Sequence, residues 1–122
     1  MVLYKFAIIG SRGFDNIPLL TSTMEQYKSH ISFVISGGAR GADKMGEVWA
    51  NINSIPTVIH LPDWDKHGRA AGFIRNTLIV EEADVIIAFW DGISKGTLDS
   101  INKAKALNKP IRIINYVEDS FL

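Results

Sequence analysis

Ser36-Gly37-Gly38-Ala39-Arg40-Gly41-Ala42-Asp43 sets three glycines between an apolar, strand-like segment, Ser32 to Ser36, and an amphipathic, helix-like one. Without a Cβ, glycine permits the dihedrals of a tight strand-to-helix turn and lets main-chain N–H groups approach a bound anion closely. The helix that follows directs its unpaired N–H groups and the positive end of its dipole at the same place. A turn of this kind alone is compatible with simple chain reversal. Gly10-Ser11-Arg12-Gly13 and Asp91-Gly92-Ile93-Ser94-Lys95-Gly96-Thr97 repeat its chemistry after two other strand-like runs, and that repetition points to a phosphate-binding crevice.

Five short runs rich in β-branched residues alternate with helix-length segments: Tyr4 to Ile9, Ser32 to Ser36, Thr57 to Leu61, Asp84 to Trp90 and Ile111 to Asn115. This alternation predicts a parallel sheet covered by helices. Helices are expected at Pro18 to Ser29, from Ala42 to the break before Pro56, at Ala70 to Glu82, and from Leu98 to the stop at Asn108-Lys109-Pro110. Ala42, Met45, Val48, Trp49 and Ile52 fall at helical spacing and are expected to form one core face. In the third helix Ile74, Leu78 and Val80 are expected to point inward, and Leu61 to Gly68 reads as an aromatic, charged loop. The acidic tail after Tyr116 is expected to be peripheral. The fold expected for residues 1–122 is a single α/β domain, a Rossmann-like three-layer sandwich with a five-stranded, mostly parallel sheet.

An apolar fraction of 47% with 21% charged residues fits a soluble globular chain. No apolar run approaches the roughly 20 residues that cross a bilayer, and the start resembles no signal peptide. These features predict a cytoplasmic protein with no membrane partner. The absence of cysteine excludes disulfides, thiolate nucleophiles and cysteine-ligated metal centres. His30, His60 and His67 share no ligand spacing, so no metal site and no cofactor are predicted. Thirteen basic residues balance thirteen acidic ones, which disfavours nucleic acid as a partner.

In an open parallel sheet the ligand crevice lies beyond the carboxyl ends of the strands. Loops after the first, second and fourth strands bring Ser11, Arg12, Arg40, Ser94 and Thr97 there, with backbone amides of Gly10, Gly37, Gly38, Gly41, Gly92 and Gly96. Such donors suit a nucleotide phosphate. The chain has no G-x-x-x-x-G-K-[ST] and no G-x-G-x-x-G, which argues against a P-loop NTPase and an NAD-dependent dehydrogenase. Arg75 and Asn76 lie early in a helix, and Asp43 and Glu47 share a helix face as an i, i+4 pair. Asp43 also suits the helix dipole. Trp64 and Trp90 are candidates for stacking on a base, with Trp64 the better placed in its polar loop.

Together, Gly10-Ser11-Arg12, the run from Ser36 to Asp43, Asp63 to Gly68, Arg75-Asn76 and Phe89 to Thr97 resemble the SLOG superfamily, in its YspA/YpsA-related branch. The resemblance implies a Rossmann-like domain that binds a nucleotide or nucleotide-derived molecule as a sensor or binding module, often as a homo-oligomer. Arg12, Arg40 and Arg75 would recognise charge, with Asn76, Asp91 and Gly92 among the binding residues. Two groups of relatives suggest alternatives. In LOG-type phosphoribohydrolases an arginine matched here by Arg75, an Asp matched by Asp84, and a G-T pair matched by Gly96-Thr97 serve cleavage of a nucleoside monophosphate. The glutamate of that motif falls on Ser100, and the nearby carboxylate, Asp99, is one position early and one methylene shorter. Arg75 and Asp99 are thus the candidate catalytic pair, with Asp43 or Asp91 as substitutes, for chemistry that needs a carboxylate beside an oxocarbenium-like centre. DprA-type proteins carry a similar motif series and imply single-stranded DNA binding.

Overall fold

The computed structural model describes residues 2–116, so the acidic tail lies outside the described residues. Five strands, β1 (Tyr4–Gly10), β2 (Ile31–Ser36), β3 (Thr57–Ile59), β4 (Val85–Trp90) and β5 (Ile111–Asn115), form one sheet in the order β3-β2-β1-β4-β5. Every adjacent pair is parallel, where a mostly parallel sheet was expected. Parallel neighbours require crossovers, and the helices supply them: α1 (Ile17–Glu25), α2 (Ala42–Ile52), α3 (Trp64–His67), α4 (Ala71–Glu82) and α5 (Lys95–Ala106).

Alternate residues of β1 enter opposite layers, as the two-residue period of a strand dictates. Phe6 and Ile8 pack with Phe14, Leu20, Met24 and Trp49 on the α1/α2 side. Ala7 and Ile9 pack with Ile79, Val80, Ile101 and Ala104 on the α4/α5 side. Covering both faces explains why β1 and β4 are continuous apolar runs. After β1 the chain moves to β2 and β3 on one side, whereas β4 and β5 lie on the other. The reversal falls between β1 and β4, which makes their carboxyl ends the topological switch point.

Several element limits differ from expectation. Helix α1 ends at Glu25, and a short 3-10 turn at Lys28–His30 carries the chain into β2. Asn16 caps α1 by accepting the Leu19 amide at 3.0 Å. The segment expected as a loop at Leu61 to Gly68 contains α3, because Asp63 caps it through the Lys66 amide at 3.1 Å. β3 stops at Ile59. The predicted core face of α2 is also narrower: Ala42 and Trp49 are buried, whereas Val48 and Ile52 are exposed and line an apolar groove with Ile17 and Leu20 of α1. A short helix on a twisted sheet offers the sheet only part of its apolar stripe, and α1 covers only part of the remainder. In α4, Ile79 and Val80 are buried and Leu78 is about half exposed, so the inward stripe is rotated relative to the prediction.

No helix among the described residues is long and apolar enough to cross a membrane.

Candidate crevice at the sheet switch point

The loop after β1 and the loop after β4 are joined by hydroxyl bonds. Ser11, almost fully buried, accepts the Asp91 amide at 3.1 Å and lies 3.0 Å from the Ser94 hydroxyl. Ser94 donates to Thr97 Oγ1 at 3.0 Å. Asp91 Oδ1 folds the β4 loop by accepting the Ile93 and Ser94 amides, each at 2.8 Å. Burial acts to raise the Asp91 carboxyl, but the Ser94 and Ile93 amides, aided by the Ser11 and Ser94 hydroxyls, outweigh it and hold it below its ordinary value. Trp90 donates its indole N–H to the Ser94 carbonyl at 3.1 Å, so it braces this loop.

The ladder of α5 begins with the Leu98 amide on the Ser94 carbonyl, at 3.2 Å. The Lys95, Gly96 and Thr97 amides precede that bond and project from the helix end, where they suit an anion. A cavity of about 300 Å³ opens at this end. Ser11, Arg12, Arg75, Asn76, Ser94 and Thr97 line it, together with Gly10, Asp43, Asp91, Gly96 and Ser100. A second cavity of about 310 Å³ adjoins it, lined by Gly37, Gly38, Arg40, Leu61, Pro62 and Trp64, and Arg12, Ala39 and Arg75 belong to both.

The glycine-rich turn is built differently from a phosphate cradle. Asp43, on the first turn of α2, accepts the Gly37 amide at 3.1 Å and the Ala39 amide at 3.3 Å, both through Oδ2. The Gly38 amide donates to Ser36 Oγ at 3.2 Å, and Ser36 Oγ donates to Glu47 at 2.6 Å. The expectation that Gly37 and Gly38 offer their amides to a ligand is therefore corrected. A buried carboxylate one helical turn away already takes them, because an unpaired buried amide is costly. Glycine at position 37 has a packing reason as well: a Cβ there would lie 2.7 Å from Arg75 Nη1 and 2.8 Å from Asp43 Oδ2.

Arg75 reaches across the sheet end from α4. Its Nη1 donates to the Gly37 carbonyl at 2.5 Å and its Nε to Asn76 Oδ1 at 3.0 Å. Burial lowers the Arg75 pKa; Asp43 opposes this and Arg12 adds to it. Burial likewise pushes the Asp43 carboxyl up to about 6, against the lowering pull of the Ala39 amide, Arg75 and the Gly37 amide, while the Glu47 carboxylate adds to the rise.

The structure gathers most of the residues expected at the site and separates a few. Gly41 and Gly92 line neither cavity: Gly41, at φ +79°, packs against the Ser11 and Arg12 carbonyls, and Gly92 turns the β4 loop at φ +82°. Asp99 also lies outside both linings, accepting from Asn76 Nδ2 at 3.2 Å and from Lys103 Nζ at 2.8 Å. Helical geometry turns position 99 away and places Ser100 on the cavity side. Asp84 sits at the amino ends of the strands, opposite the crevice, accepting the Lys5 amide at 2.9 Å. His60 pairs with Glu82 at 2.7 Å. Sequence reading named Ser100 only as the position where the motif glutamate is missing and did not count it among the site residues.

Residues 4–67 match the family described as YAcAr: YspA, cpYpsA-related SLOG family. The chain belongs to it. A SLOG chain with this site is also similar to the gene 61 protein of Mycobacterium phage D29, with 39% identity over 85 residues that cover 64% of this chain and 67% of that protein. Among solved structures, DNA processing protein A (DprA) from Streptococcus pneumoniae superposes with a TM-score of 0.80 over 97% of the SLOG chain, at 15% identity. That likeness shows the Rossmann-like fold, and the chain spans 52% of the DprA chain.

Proposed function

We propose that this SLOG chain is a binding module for a nucleotide or nucleotide-derived molecule, with phosphate at the amino end of α5 between Arg12 and Arg75. The observation that carries this reading is the convergence of two guanidinium groups, the Thr97 hydroxyl and a helix amino terminus on one cavity at the switch point. Membership of the SLOG family and the shared fold support a nucleotide- or nucleic-acid-related ligand.

Binding is favoured over cleavage of an N-glycosidic bond. Asp99 is engaged by Asn76 and Lys103 outside the cavity, and the position that faces the cavity instead is Ser100, which has no carboxylate. Asp43 and Asp91 line the cavity, but both hold backbone amides of their own loops.

A second reading, single-stranded DNA, is favoured by the fold shared with DprA, a protein named for DNA processing. The argument against nucleic acid from the neutral charge balance gains no support from that comparison.

Thermal melts with a panel of nucleotides test the first reading, since a ligand at 100 times its Kd stabilises the folded chain by about 2.7 kcal/mol. A flat panel at millimolar concentration, together with a salt-sensitive gel shift of single-stranded oligonucleotides, would transfer the assignment to DNA.

A further inference from the structure

The two cavities adjoin at the sheet end, and the residues they share include both Arg12 and Arg75. Resting on the nucleotide reading above, we infer that the preferred ligand is two-ended: two nucleoside-like groups joined through a pyrophosphate, with the pyrophosphate at the Arg12–Arg75 seam and one end in each cavity.

Each cavity is about 300 Å³, at the bottom of the roughly 300–1,000 Å³ range of ligand sites, so a ligand larger than a mononucleotide fills them jointly. The two compartments differ in chemistry. The one at α5 is lined by hydroxyls, an amide and carboxylates: Ser11, Ser94, Thr97, Asn76 and Asp43. These groups suit a sugar and its phosphate. Among the described residues the Gly37 and Ala39 amides both donate to Oδ2 of Asp43, and Oδ1 can accept from a sugar hydroxyl. The other compartment is flanked by Leu61, Pro62 and the half-exposed Trp64, surfaces on which a base can stack.

The seam itself is cationic. Arg12 stands close enough to Arg75 to disfavour its charge, an effect that Asp43 opposes. Two forked cations side by side suit two adjacent phosphates better than the single charge of a phosphodiester. The capped turn of α3 fixes the backbone at Trp64, whose side chain lines the second cavity.

Isothermal titration of the intact chain compares three probes for each of the four common bases. They are the nucleoside 5′-monophosphate, the dinucleoside diphosphate in which two such units are joined 5′ to 5′ by pyrophosphate, and the 3′–5′ phosphodiester dinucleotide. The expected result is that, for at least one base, the pyrophosphate-linked compound binds about tenfold or more tighter than its monophosphate. That ratio should fall toward unity in Trp64→Ala and be largely restored in Trp64→Phe. A ratio near unity in the natural chain, or one that Trp64→Ala leaves unchanged, overturns the two-ended ligand while the nucleotide reading stands. Equal binding of the phosphodiester dinucleotide overturns the pyrophosphate and points to a single strand. If no nucleotide binds at all, both readings fall.

Discussion

The Asp43 carboxylate accepts the Gly37 amide at 3.1 Å, tying the end of β2 to the first turn of α2. Its burial raises its pKa from 3.8 to about 6, so the folded chain holds this proton more tightly than the unfolded one. The corresponding stability is fully present below pH 3.8 and is lost as pH rises through about 6. The shift is worth about 3 kcal/mol at most. Asp43→Asn stays neutral across this window. Urea unfolding at acidic and neutral pH should therefore show the natural chain losing stability relative to the variant as pH rises, and parallel profiles would count against the role given to Asp43.

Asp91 should behave in the opposite sense. Its carboxyl is held below the ordinary value, so its contribution is present above the unfolded pKa and disappears as pH falls through the folded one. Because Asp91 Oδ1 accepts the Ile93 and Ser94 amides, Asp91→Ala should speed hydrogen exchange at those two amides and leave the β1–β4 ladder protected. Unchanged exchange at Ile93 and Ser94 would show that the loop holds its shape by other means.

Arg12 is exposed and lines both cavities, whereas Asp99 lines neither. A charge-assisted bond to phosphate contributes about 1.5–3 kcal/mol, so Arg12→Ala should weaken nucleotide binding roughly 10- to 100-fold with little change in Tm. Asp99→Ala should leave affinity within about twofold, the scatter of a substitution outside the site. Titration of the best ligand against both variants decides the matter, and a larger loss from Asp99→Ala would reopen the catalytic assignment.

Gly46 of α2 faces β1, where a Cβ would lie 2.8 Å from Cγ2 and 3.0 Å from Cβ of the fully buried Ile8. Overpacking of this kind costs about 1–3 kcal/mol, even though alanine is the better helix former. Gly46→Ala should lower the midpoint of denaturant unfolding by that amount without a change in m-value. An increase in stability would mean that α2 can move away from the sheet freely.

The sheet and its covering helices were legible in the chain because hydrophobic period and β-branching are local properties. The continuous apolar runs at Phe6 to Ile9 and Ile86 to Phe89 announce strands covered on both faces wherever they pack. The positions of Ser11, Arg12, Ser94 and Thr97 at one crevice followed from strand order, since each lies just beyond a strand end or early in a helix, whereas Arg75 was assigned there by the family resemblance. The exposure of Val48 and Ile52 was not legible, because helical period identifies an apolar stripe but not how much of it the sheet and α1 cover.

Three glycines and a following helix already specified a tight strand-to-helix turn, because glycine conformation and helix ends are matters of adjacent residues. The use of that turn depended on groups far apart in sequence. Asp43 folds back onto Gly37 and Ala39, and Arg75 arrives from 38 residues away to take the Gly37 carbonyl, so the amides that looked available for phosphate are satisfied internally. In the function proposed above, the anion instead meets the amino end of α5 and the arginine seam. Hydrogen bonds of this kind have no periodic signature, and only the packing of α2, α4 and α5 around one sheet end decides which donors remain.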